Sequence, residues 1–165
     1  MKAISLHQPF ASAIAEGAKM VETRSWQTKH RGMLAIHAAA KISTELDSYG
    51  SCWNWCGALN RLMGTGLLSK QLPFGGIIAV VTVIGVRRTD DFRLGEVDSL
   101  RWRNDLGSLY TWTERQMGDF SLGRYGWILA DLVKLREPLP FKGRQGVFEV
   151  PDELILPLIE GGLNP

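Results

Sequence analysis

Ten residues in the middle of the chain, Ile77-Ile78-Ala79-Val80-Val81-Thr82-Val83-Ile84-Gly85-Val86, carry a single polar side chain and are rich in β-branched ones. Such residues are stiff at χ1 and favour a pleated backbone, and an unbroken apolar run leaves no face for water. The stretch therefore predicts a strand buried on both sides, inside a sheet that carries further elements over each face. It falls far short of the roughly 20 apolar residues that cross a bilayer, so no membrane segment is expected.

Around this strand the chain alternates short strand patterns with irregularly placed helices. Residues 2 to 6 alternate and end at Gln8-Pro9, because the residue before proline is pushed out of helical geometry. A helix is predicted from Pro9 to Glu16, with Gly17 closing it in a left-handed conformation. Residues 20 to 26 and 33 to 41 read as strands, and the polar turn Gln27 to Gly32 between them predicts that they are antiparallel neighbours. In the second of these, period two puts Leu34 and Ile36 on one face and Ala35, His37, Ala39 and Lys41 on the other.

From Ser43 to Met63 apolar residues recur every three or four positions, as in an amphipathic helix or two short ones broken at Gly50. Residues 124 to 132 and 147 to 150 read as strands, Glu137-Pro138-Leu139-Pro140 as an extended turn between them, and 152 to 159 as a helix despite Pro157. The sum is one α+β domain spanning residues 1 to 165, a mixed sheet or small barrel of about six strands.

A formal charge of +2 permits nucleic acid but lacks the strong bias of a dedicated duplex binder. Cys52 and Cys56 are the only cysteines, and with no further cysteine or paired histidine motif nearby they predict reduced packing residues, so no metal or other cofactor is expected. The opening residues lack the apolar core of a signal peptide, and a cytoplasmic location is the expectation. Arg101-Trp102-Arg103 pairs positive charge with an aromatic, which suits single-stranded nucleic acid and equally a solvated helix face.

The densest chemistry lies in Gly17-Ala18-Lys19-Met20-Val21-Glu22-Thr23-Arg24-Ser25-Trp26, which brings together an ammonium, a carboxylate, a guanidinium and an indole. On a strand, Glu22, Arg24 and Trp26 share a face, with Lys19 at the turn before them. One reading is a surface ion pair or structural ion network; the other is the floor of a polar pocket in which Lys19 and Arg24 meet an anion, Glu22 orients them or takes a proton, and Trp26 offers a stacking face.

The spacing Gly-x-Lys-x-x-Glu-x-Arg, complete here as Gly17, Lys19, Glu22 and Arg24, resembles the signature of the ASCH family. Ser5-Leu6-His7-Gln8-Pro9-Phe10-Ala11, Arg31-Gly32 with Ile36-His37-Ala38, and Gly123 to Trp127 through Lys142 to Phe148 are similar to its flanks. The resemblance implies a PUA-like mixed β-barrel of five or six strands with inserted helices and a cleft suited to single-stranded RNA, a nucleotide or a nucleoside. The implied ligand-binding set is Gln8, Lys19, Glu22, Arg24, Trp26, His37 and Lys41. Relatives that are ribonucleases, or that hydrolyse acetylcytidine with a lysine and a threonine three residues later, imply an alternative hydrolase in which Lys19 and Glu22 are catalytic. Glu22 stands at that threonine position and cannot replace an alcohol nucleophile without a change of mechanism.

Overall fold

Strand β4, Gly76–Arg88, carries the apolar run and is the structural centre of the computed structural model, which describes residues 1–41, 72–92 and 117–160. The other strands are β1 (Lys2–Leu6), β2 (Val21–Arg24), β3 (Gly32–Ala38), β5 (Tyr125–Pro140) and β6 (Val147–Glu149); the helices are α1 (Phe10–Ala15) and α2 (Asp152–Glu160), and a 3-10 turn spans Thr89–Asp91. The sheet runs β2-β5-β4-β3-β1-β6. Its pairs are antiparallel except β1 with β3, so the sheet is mixed.

The prediction that the run is covered on both sides holds for the first half of β4 and not for its end. Ile78, Val81 and Val83 join Ile4, Leu6, Leu34, Ile36, Trp127 and Leu129 in a core closed by Ala11, Ile14 and Ala15 of α1. Ile77 and Val80 join a second core with Ala3, Ala35, Phe148 and Ile155 and Ile159 of α2. From Ile77 to Val81 the run is apolar because it serves two cores at once, while beyond it one face opens and Ile84 is 57% exposed.

Irregular pairing curls the sheet. Two steps along β4, from Val80 to Thr82, match three along β5, from Val133 to Ala130, and Asp131 sits in the extra position with φ 48°. A residue added to one strand bends it and increases the local twist. The six-stranded sheet becomes a half barrel that brings its β2 edge towards β1, although β5, β4 and β3 lie between them in the sheet.

Two expectations about neighbours are corrected. Strands β2 and β3 do not form a hairpin: β2 pairs with β5, and β3 pairs with β4 and β1. The linking residues are held locally, with the buried Thr28 accepting the His30 N–H through Oγ1 at 3.0 Å and its carbonyl accepting Arg31 Nη1 at 3.3 Å, so the chain leaves the β2 edge rather than folding back. The stretch 137–140 is not a turn; it continues β5, with Leu139 opposite Ile77 and Pro140 opposite Gly76. The prolines fit because the register there slips, five steps of β5 being spanned by two of β4. The helix expected at 43–63, both cysteines and Arg101-Trp102-Arg103 lie outside the described residues.

Candidate functional site

The signature begins where α1 ends. Gly17, at φ 70°, takes the left-handed conformation expected of it and donates to Ile14 O, while Lys19 N donates to Ala13 O at 3.0 Å. The tight exit turns the Lys19 side chain inward, where it is 1% exposed. Its ammonium donates to Val21 O and lies 3.5 Å from Glu22 Oε2. Glu22, with its side chain 11% exposed, also faces Arg24, whose Nε is 3.0 Å from Oε1. That contact is close enough for an ion pair but is not a hydrogen bond, Arg24 Nε having no hydrogen-bond partner among the described residues. Arg24 Nη2 donates to Ser5 O at 3.1 Å, and this bond joins the β2 edge to β1 across the open side of the half barrel.

Lys19, Glu22 and Arg24 therefore form one ion cluster graded from inside to outside. The formal charges of Lys19 and Glu22 cancel in the buried part, and Arg24, 27% exposed, presents the remaining positive charge at the surface. Two residues on, just past the end of β2, Trp26 is 37% exposed and meets the ring of Trp127 edge-on, with centroids 4.8 Å apart at 80°. Trp127 lies on β5 directly opposite Glu22, so both side chains stand on the same face. On the other face of β2, Thr23 Oγ1 accepts the Asp119 N–H at 2.9 Å and ties the strand to the segment before β5.

Gln8, His37 and Lys41 are placed differently. Gln8 is fully buried, its Nε2 donating to Pro73 O at 2.7 Å and its Oε1 accepting Ser12 N–H at 3.1 Å, so both polar ends are used in anchoring α1. His37 is also buried, on β3 and not beside β2; its Nε2 lies 2.9 Å from Phe141 O and its Nδ1 3.1 Å from Ser5 Oγ. A carbonyl only accepts, so Nε2 carries a proton and donates it there, while Nδ1 shares a hydrogen bond with the Ser5 hydroxyl. A Cβ at Gly143 would stand 2.4 Å from His37 Cε1 and 2.6 Å from Ser5 Oγ, so the glycine lets this loop close over the pair. Lys41 is exposed beyond β3, and its carbonyl meets His7 Nδ1 at 3.4 Å.

Ser5 and Trp127 are the site residues that motif spacing did not single out. Ser5 meets Arg24 through its carbonyl and His37 through its hydroxyl, and Trp127 floors the face that holds Glu22. Strand alternation places neither beside the signature, because both belong to other strands. A concavity of about 650 Å³ bounded by Met1, Phe141, Arg144, Glu149, Asp152 and Glu153 opens near β6 and the start of α2, and it includes no signature residue.

The curled mixed sheet with a charged cluster on its edge strand defines an α+β half barrel of the PUA-like kind. The chain belongs to the ASCH domain family, whose model matches residues 4–120. Two crystal structures from Zymomonas mobilis, of an ASCH protein and of a point mutant of it with a phenylalanine in place of a tyrosine, share the fold at 16% sequence identity and a TM-score of 0.51. Each covers 96% of this chain, and the match takes in 93% of the former and 96% of the latter. Activating signal cointegrator 1 is 58% identical over 38 residues in Homo sapiens and 55% identical over 38 residues in Mus musculus. Those matches take in 23% of this chain and 6% of the length of each relative.

Proposed function

We infer that the chain is an RNA-binding module whose contact surface is the outer end of the signature, with Arg24 meeting a phosphate and Trp26 stacking on a base of single-stranded RNA. The observation that carries this reading is the gradient of exposure along the cluster: Lys19 and Glu22 are buried against each other, while Arg24 and Trp26, two residues apart in the chain, are partly open to solvent. A carboxylate beside a phosphate-binding arginine would repel the ligand if it stood alone. Here the Lys19 ammonium offsets Glu22, so the surface charge is that of Arg24, which Ser5 O and Glu22 hold in place. Membership of a family whose fold resembles RNA-associated PUA domains agrees with the same class of ligand.

The inward turn of Lys19 also favours the structural-network reading for Lys19 and Glu22 over a catalytic one. Its ammonium is 1% exposed and directed at Val21 O and Glu22, not outward to a substrate. In this reading the pair positions Arg24, and Gln8 and His37 support the walls.

Fluorescence anisotropy with a labelled single-stranded RNA decamer tests the proposal. Stacking on an aromatic is worth about 1–3 kcal/mol, so Trp26→Ala is expected to weaken binding about tenfold with little change in melting temperature, and Arg24→Ala to weaken it comparably. Binding unchanged in both variants overturns the assignment. The same incubations report RNA cleavage, and turnover by the parent chain that is lost in Glu22→Gln held well below that variant's own melting temperature would restore the hydrolase reading.

A further inference from the structure

Among the described residues the Arg24 guanidinium makes one hydrogen bond, from Nη2 to Ser5 O at 3.1 Å. That acceptor is open because of where β6 begins. Strand β6 pairs with β1 from Lys2 to Ile4 only, and Gly146, at φ 70°, turns the chain just before it. Leu6 O accepts Ala39 N–H on the β3 side, and successive carbonyls of a strand point to opposite edges, so Ser5 O faces the side that β6 leaves vacant. On its other side Ser5 is paired with His37, where the register of β3 against β4 shifts between Ile36 and His37. The sheet therefore holds Ser5 from one side only, at an irregular point of its neighbour. Its side chain supplies the rest. Ser5 Oγ lies 3.1 Å from His37 Nδ1, and His37 Nε2 donates to Phe141 O at 2.9 Å. The chain after Phe141 then crosses the pair at Gly143, where an added Cβ would stand 2.6 Å from Ser5 Oγ and closer still to His37 Cε1. Gly143 does not have a positive φ, so it is the missing Cβ and not conformational freedom that this position uses. His37 is buried and bonded at both ring nitrogens, which leaves it no room to move aside.

We propose that Ser5, His37 and Gly143 are positioning residues of the RNA site: the loop seated at Gly143 fixes Ser5 through His37, and the Ser5 carbonyl fixes the guanidinium of Arg24. This rests on the RNA-binding reading above. Glu22 does not hold the guanidinium in one orientation by itself, because it meets Nε by charge and without a hydrogen bond. An arginine that is already held loses less rotamer freedom when it meets a phosphate, so it binds more tightly than a loose one of the same charge. Three residues distant from the signature in the chain thereby act on its ligand without touching it.

Anisotropy with the labelled RNA decamer, on Ser5→Ala and Gly143→Ala in the parent and in the Arg24→Ala background, gives two double-mutant cycles. All are measured well below each variant's own melting temperature, so that only folded protein is compared. Each single substitution is expected to weaken binding about fivefold, the worth of one net hydrogen bond. The same substitution made in Arg24→Ala should have little further effect, since no guanidinium remains to be held. A merely structural role would give equal losses in both backgrounds. Because Gly143→Ala presses on buried groups, Ser5→Ala supplies a second readout without RNA: the ¹⁵N relaxation of Arg24 Nε, whose order parameter should fall once Ser5 is loosened. Equal losses in both backgrounds, full affinity in both single variants, or an Arg24 Nε order parameter unchanged in Ser5→Ala each overturns the positioning role while leaving RNA binding intact. A parent chain that does not bind the decamer overturns the RNA reading itself, and this one with it.

Discussion

Each residue of the signature is defined by what it faces, and Glu22 faces two cations. Its carboxylate is 3.5 Å from the Lys19 ammonium and 3.0 Å from Arg24 Nε. Removing one partner of a buried ion pair is far costlier than losing a surface pair, because the other charge stays behind without compensation. Glu22→Gln is therefore expected to lower stability by about 3 kcal/mol, or about 10 °C in melting temperature for a chain of this size, as calorimetry would show. A change under a degree or two would mean that the cluster is solvated and that its buried half has no structural role. His37 shows how far spacing goes: a lone histidine among alanines suggests a structural role, and the two hydrogen bonds to Ser5 and Phe141 are of that kind. The same spacing offers no view of Phe141, which is 104 positions away.

At the scale of elements, the end of β4 is fastened to the approach to β5 through the 3-10 turn. Thr89 Oγ1 donates to Ser121 O at 2.7 Å, and Asp90 Oδ1 accepts Gly123 N–H at 2.8 Å while Oδ2 accepts Arg88 Nε at 3.0 Å. The Gly123 N–H, foremost, and the Arg88 guanidinium hold the Asp90 carboxyl below its ordinary value of 3.8. A carboxyl lowered on folding stabilises the native state above its unfolded value, here near 3.8, and that contribution is lost as pH falls through the folded value beneath it. Asp90→Asn should accordingly be less stable than the parent chain at pH 7, and the gap between their denaturation midpoints should close as pH drops below 3.8. A gap independent of pH would assign the turn's stability to Thr89 and the backbone instead. The strands themselves were legible as periodic segments, but their ends were not. Strand β5 runs through Pro138 and Pro140 because its partner slips register, and no local signal announces that.

For the whole molecule the net charge is only +2, so on the RNA-binding reading proposed above long-range attraction is weak and affinity has to come from the site. With one or two phosphate contacts, at about 0.7 per contact for a single strand, the plot of log affinity against log salt should have a slope of roughly −1, so binding should fall less than about tenfold between 50 and 200 mM salt. Arg24→Ala should flatten that slope. A fall of a hundredfold or more would show that a larger basic surface carries the binding. What the sequence by itself determined is what lies within a few residues: the doubly buried first half of β4, the helix closed at Gly17, and the grouping of Glu22 and Arg24 on one strand face. Which strands lie beside one another was decided only in three dimensions, where β2 pairs with β5 and crosses to β1 through Arg24 and Ser5. The reason is physical. Periodicity reports which face of a segment is buried, and it is set by each residue's own bonds to its neighbours in the chain. Strand partners depend on bulges, loop paths and packing between segments far apart in the chain, and those are the interactions that tie Gln8 to Pro73, tie His37 to Phe141 and set Trp127 opposite Glu22.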